Sequence, residues 1–340
     1  MAVEKRVAGL DLIRSCAIFF VMADHFFVLY TPFWEARFDS VSMFLQAFAL
    51  QLFYTSVPLF LLLTGYLNAG KTPSRKYYHG IWRVLTAYIF FSVATILVRK
   101  YWLHEDASVF RWTYSILNYT AIPYAWYIEM WIGLFLLTPF LNILYKAVPS
   151  RRQKKLLILT MFALAIVPQS WIHVFPAYWR ECFPLFYYFV GCYIREFQPR
   201  VAKRTGWLLL VAAVCCLTNP LFRFLDNPYL SFGADKTGIF GAVLAVVVFL
   251  LLYQADCKNT AVKKTLTAIS LLSLDMYLCS YIFDAIYYPW FRERFFVDQS
   301  QFGTFFFVIV PLVFVSSFVI AYAKEWLFRI TGITGWLRRS

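Results

Sequence analysis

Arg14 and His25 lie eleven positions apart in one apolar run near the N-terminus. At about 100° and about 1.5 Å per residue, eleven helical steps return to nearly the same face and rise about 16–17 Å. A guanidinium keeps its charge and forks onto oxyanions, whereas an imidazole exchanges protons near neutrality. One helix face would then carry an anion clamp at one end and a proton-transfer group at the other. Asp24 adjoins His25 but is turned about 100° around the helix, so it is poorly placed to orient the ring. Asp11, Glu129, Asp275 and Asp284 are further acids inside apolar runs.

Those runs decide what kind of element holds the chemistry. Of 340 residues, 61% are hydrophobic and 15% charged, against roughly 45–50% and about 25% in an ordinary globular chain. A mean hydropathy of +0.62 leaves too little polar surface to cover a water-soluble particle. Ten runs read as spans: 10–31, 45–68, 82–103, 126–146, 156–174, 183–197, 207–224, 237–253, 267–289 and 304–326. Most are near the ~20 residues that cross a hydrocarbon core of ~30 Å. The expected fold is all-α, a polytopic membrane protein with about ten transmembrane helices around a polar interior cavity. It is expected to form one domain over 1–340, with no appended soluble domain. Continuous runs of this kind exclude an outer-membrane barrel.

The cavity follows from the charges. Five acids and Arg14 inside spans would cost on the order of 15–20 kcal/mol if unpaired near helix centres, at roughly 2.5–3.5 kcal/mol each. They must face a polar interior, pair, or sit near an interface. Asp11 and Arg14, at i and i+3, are spaced to pair with each other.

Charge also sets orientation. Flanks on the side of both termini hold 22 basic residues and four acids (Glu4, Glu196, Asp256, Glu325), while the opposite loops hold nine of each. Basic residues stay on the cytoplasmic side, so both termini are expected there, in a cell (inner) membrane, with loops 32–44 and 104–125 outside. Trp and Tyr gather near span ends as interfacial anchors.

The net charge of +14 does not indicate nucleic acid, because the basic residues sit in short clusters between apolar runs. Seven cysteines, most of them within apolar runs, give no disulfide framework. No metal site and no permanently bound cofactor are expected. Arg14, Asp24 and His25 interrupt the first run, and no small-residue cleavage site follows it, unlike a signal peptide. Intramembrane acids and a polar cavity also suit a proton-coupled transporter or a lipid- or glycan-handling membrane protein. The inverted repeats that would favour transport are not seen.

Five stretches, in order, carry a family resemblance. Gly9-Leu10-Asp11-Leu12-Ile13-Arg14 through His25 resembles the opening Arg-x10-His signature of the membrane acyltransferase-3 family. Val57-Pro58-Leu59-Phe60 with Thr64-Gly65-Tyr66-Leu67, Arg83-Val84-Leu85 with Tyr88, Ala125-Trp126-Tyr127 with Pro139, and Ser273 to Tyr277-Leu278 resemble the later motifs. The resemblance spans nearly the whole chain. Two departures stand out. Gly80 replaces the first of two arginines common before the third span, leaving Arg83 beside His79, and Cys279-Ser280 follow the late Tyr-Leu where relatives often carry histidine. His25 is thus the only histidine well inside a span. The other large class of membrane O-acyltransferases also uses an intramembrane histidine, but a first-span placement argues against it.

The resemblance implies transfer of an acyl group, often acetyl, from cytoplasmic acyl-CoA to a hydroxyl of a cell-surface glycan or lipid-linked precursor. Partners would be acyl-CoA as donor substrate (acetyl-CoA or another), the glycan acceptor and membrane lipids; oligomeric state is open. Arg14 and Arg83, helped by Lys76, would bind the coenzyme A phosphates, with the pantetheine arm running up to His25. His25 would be general base or, alternatively, acyl carrier. Asp24 joins the catalytic set by adjacency, and Glu129 or Asp275 would orient the ring from another span. Tyr277 in the catalytic set and Tyr66 in the donor set are hydroxyls that would donate to the thioester oxyanion.

Overall fold

A computed structural model describes residues 7–169, 175–225 and 238–339. Glu4, Lys5, Arg6, Trp171, the end of the 156–174 run and the first residue of the 237–253 run lie outside those described. All regular structure among the described residues is helical. The α-helices are α1 Ala8–Val28, α2 Val41–Phe53, α3 Ser56–Asn68, α4 Arg75–His79, α5 Ile81–Tyr101, α6 Val109–Leu117, α7 Trp126–Ala147 and α8 Arg151–Met161. They continue with α9 Phe183–Phe197, α10 Thr205–Phe224, α11 Ile239–Leu252, α12 Thr260–Phe295, α13 Gln299–Phe302, α14 Phe306–Ile330 and α15 Ile333–Arg339.

A helix falls within each of the ten apolar runs, and among the described residues six segments are long and apolar enough to cross a membrane. They are Val41–Asn68, Arg75–Tyr101, Trp126–Ala147, Thr205–Phe224, Thr260–Phe295 and Gln299–Ile330. The expected ten spans are thus confirmed for six by length and composition among the described residues. At 15 and 14 residues, α9 and α11 are short, and α8 gives way at Phe162–Ile166 to a π-helical turn. α1 carries Asp11, Arg14 and Asp24, too many ions for a helix facing lipid. The run at 45–68 is two helices, because Pro58 has no N–H for the carbonyl of Tyr54 and its ring crowds that oxygen. The chain breaks there, with Tyr54 capping α2.

Helix starts are set by side-chain caps. Ser40, Ser74, Ser108 and Ser150 each accept the backbone N–H three residues on, at 3.1–3.2 Å, and Asp298 does the same at 2.9 Å. Each satisfies one donor that the first helical turn would leave open.

The chain forms two compact units, each discontinuous in sequence. The first comprises Met1–Ala69, Leu144–Ser270 and Phe296–Phe306. Within it α1 packs against α2, α3 and α11, and α10 lies along α2 and α11. Ile13, Ala17, Ile18, Met22 and Ala23 on α1 are fully buried, so these α1 side chains form part of the unit's core. The closest crossing is α3 on α9. A Cβ on Gly65 would strike the carbonyl of Tyr188, and one on Gly191 would strike that of Leu62. Only glycine lets the two backbones approach so closely.

The second unit comprises Gly70–Ile143, Leu271–Phe295 and Phe307–Ser340. Tyr77 stacks on Phe135 at 4.5 Å and donates to its carbonyl at 2.8 Å, holding α4 to α7. Tyr88 on α5 donates to the Ile116 carbonyl of α6 at 2.7 Å. α12 and α14 are joined by an ion pair described below.

Candidate functional site

α1 runs unbroken from Ala8 to Val28, so Arg14 and His25 stand on one face of one rigid rod. Both ends of the rod are fastened within the first unit. At the N-terminal end, Asp11 Oδ2 accepts from Thr267 Oγ1 at 2.9 Å, and Arg14 Nη1 donates to Ser270 Oγ at 3.3 Å. Ser15 Oγ donates to the carbonyls of Asp11 and Leu266 at 2.9 and 3.3 Å. Gly9 lets the backbone touch Leu252 and Tyr253, where a Cβ would collide with both carbonyls. Arg14 is half-buried, so its guanidinium is steered by α12 without being sealed off.

At the other end, His25 sits in the last turn of α1, its carbonyl accepting from Leu29 and Tyr30. The next two residues wedge into an aromatic wall. Phe26 meets Phe302 and Phe306 at 5.9 and 5.5 Å, and Phe27 meets Phe33, Phe53 and Phe306 at 5.4, 6.2 and 5.5 Å. Such ring pairs favour fixed tilted or offset geometries, which holds the turn bearing His25. Asp24 and His25 are each 8% exposed.

Tyr66, also in the first unit, is 4% exposed. Its hydroxyl accepts from Gln198 Nε2 at 3.0 Å, and the Arg195 guanidinium lies 5.2 Å over its ring. Phe249 and Tyr253 close the cluster at 6.0 and 6.4 Å. Arg195, near the end of the 183–197 run, is brought by the fold to Tyr66 in the unit that also holds Arg14.

The remaining expected residues belong to the second unit. Arg83 and Lys76 are exposed, at the start of α5 and on α4. Glu129 is exposed in the first turn of α7, where the helix N-terminus favours a carboxylate. Its place inside a buried polar interior is not met. Asp275 is buried, and both its oxygens accept from Lys324 Nζ at 2.9 and 3.0 Å. The Lys324 ammonium is thus the countercharge of the Asp275 carboxylate. Tyr277 donates to the Tyr124 carbonyl, and Tyr124 donates to Asp284 Oδ2 at 2.8 Å. The Tyr277 hydroxyl therefore ties α12 to the segment before α7.

A family model described as an acyltransferase domain matches residues 7–326, nearly the entire chain. The chain belongs to the acyltransferase-3 family. No match is found among curated proteins or among solved structures. The protein is a membrane acyltransferase built from several apolar helices, and the five stretches that resemble the family's motifs fall on α1, α3, α5, the start of α7 and α12. In this acyltransferase the residue most clearly missed from sequence is Lys324, only 7% exposed. It falls within the 304–326 run itself, so the reasoning that singled out Arg14 as an ion inside a span applied equally to it.

Proposed function

We propose that this acyltransferase takes an acyl group, acetyl in the simplest case, from acyl-CoA at the cytoplasmic face. It passes that group to a hydroxyl of a cell-surface glycan or lipid-linked precursor near the extracytoplasmic face. The reading rests on one observation: α1 is a single continuous helix, fastened at both ends, with Arg14 and His25 on one face. Arg14 binds coenzyme A phosphate by charge-assisted bonds. The rise of about 16–17 Å to His25 matches an extended pantetheine arm. Counted from about residue 10, His25 is some 22 Å into a hydrocarbon core of about 30 Å, nearer the outer face.

The chemistry balances simply. Neutral His25 accepts the proton of the acceptor hydroxyl as its oxygen attacks the thioester carbonyl carbon. The tetrahedral intermediate collapses, the C–S bond breaks, and the imidazolium returns the proton to the departing thiolate. The products are an ester and free coenzyme A, with His25 neutral again. Asp24, Glu129, Tyr66 and Tyr277 are secondary to this step. Tyr66 and Arg195 shape the donor side, and Tyr277 keeps α12 in place. The exposed Arg83 and Lys76 are assigned phosphate binding as well, each to be tested by its own variant.

Turnover of acetyl-CoA by the purified protein, with its dependence on His25, tests the reading. Acetyl-CoA consumption that vanishes in His25→Ala supports it. Consumption equal in the two proteins contradicts it, and a proton-gradient-dependent solute flux without acetyl-CoA use would favour transport instead.

A further inference from the structure

Beyond the end of α1 the chain turns through residues 31–40, and there the first unit contains a cavity of about 460 Å3. That size is typical of small-ligand sites, which run from about 300 to 1,000 Å3. Its walls include Glu35, Arg37, Asp39, Asp298 and Gln299. Among the described residues, Glu35, Arg37 and Asp39 enter no ion pair, and all three are exposed.

The floor is built rather than incidental. Gln46 Nε2 donates to the Gln299 carbonyl at 3.2 Å and to Ser42 Oγ at 3.1 Å, and Gln299 Nε2 donates to Gln46 Oε1 at 2.8 Å. This amide pair locks Gln299, which is 3% exposed, and leaves its Oε1 without a donor among the described residues. A buried acceptor in that state can take a hydrogen bond from a ligand in the cavity.

The lining chooses among ligands. Three carboxylates against one guanidinium repel a phosphate or other anion. A metal ion is disfavoured because no three His, Cys, Asp or Glu side chains among the described residues converge closely enough to hold one. An apolar group would strand the charges. A ligand rich in hydroxyls satisfies all of them, since each hydroxyl donates to a carboxylate or amide oxygen and accepts from arginine. We propose that this cavity, lined from Pro32 onward by the segment that follows α1, is the acceptor subsite and holds a sugar residue of the glycan to be acylated. The inference rests on the transmembrane acyltransferase reading above and adds where the acceptor docks.

Right-side-out membrane vesicles from cells making the protein, loaded with radiolabelled acetyl-CoA, test it using the native acceptor on their outer surface. The quantity read is label esterified to surface glycan relative to label released as acetate. In a Glu35→Gln/Asp39→Asn double variant this ratio is expected to fall about tenfold or more, because charge-assisted bonds to hydroxyls are lost. In Ala36→Cys, a bulky impermeant maleimide added outside should lower the same ratio without touching any carboxylate. Wild-type and both altered proteins giving the same ratio would overturn the inference while leaving the function intact. Wild-type vesicles that use no acetyl-CoA would overturn the function and the inference with it. Calcium binding that the double variant loses, with the ratio unchanged, would make the cavity a cation site and reject the sugar.

Discussion

Because Arg14 and His25 stand apart on one fastened helix, a substitution at either leaves the other in position, and their contributions separate in kinetics. Arg14→Ala should weaken acetyl-CoA binding about ten- to a hundredfold, the loss of charge-assisted phosphate contacts worth roughly 1.5–3 kcal/mol. Isothermal titration of purified protein reads this directly, and affinity within twofold of wild type would remove Arg14 from the donor site. The same titration on Arg83→Ala decides whether that exposed arginine belongs to the donor site; unchanged affinity in a folded protein would exclude it. Both residues were legible in the sequence, since residue type and an eleven-step spacing suffice to place them on one face. Tyr277 was legible as a buried hydroxyl but not as a donor to the Tyr124 carbonyl, because that partner comes from a segment far away in the chain.

Between helices, the Lys324–Asp275 pair gives the sharpest expectation. Each partner is more than nine-tenths buried, so Lys324→Met leaves a carboxylate sealed from water with no countercharge. Such removal costs about 3–5 kcal/mol, whereas replacing both members with apolar residues is often nearly neutral. Thermal unfolding in detergent should therefore show a large fall in midpoint for Lys324→Met and substantial recovery in Lys324→Met/Asp275→Leu. A double variant no better than the single one would mean that the pair does not act as a unit. Likewise Gly65→Ala should loosen the α3–α9 crossing and lower the midpoint, since the added methyl meets the Tyr188 carbonyl. What the sequence conveyed at this scale was apolarity, and a helix does stand in each run. It did not convey which runs were continuous. The break between α2 and α3 could have been taken from Pro58, but the shortness of α9 and α11 and the π turn after α8 depend on tertiary packing that a hydropathy window averages away. Lys324 lies inside the 304–326 run, so its type and position were legible, but its partner Asp275 comes from another helix and was not.

For the whole molecule, cytoplasmic termini are proposed from the basic bias alone, and the proposed mechanism depends on that orientation. An impermeant maleimide on intact cells should add label to Asp106→Cys over the native background and none to Gln153→Cys; the reverse would turn the protein over in the membrane. The central question is whether one chain moves an acyl group from one side of the membrane to the other through His25. Sealed inside-out vesicles expose the cytoplasmic face, so labelled acetyl-CoA added outside meets the donor side while the glycan acceptor is enclosed. The expected result is labelled ester on the enclosed acceptor with wild-type protein and none with His25→Ala, although that variant still binds acetyl-CoA. Label confined to an acceptor supplied on the outer surface, or equal labelling with and without His25, would contradict the account.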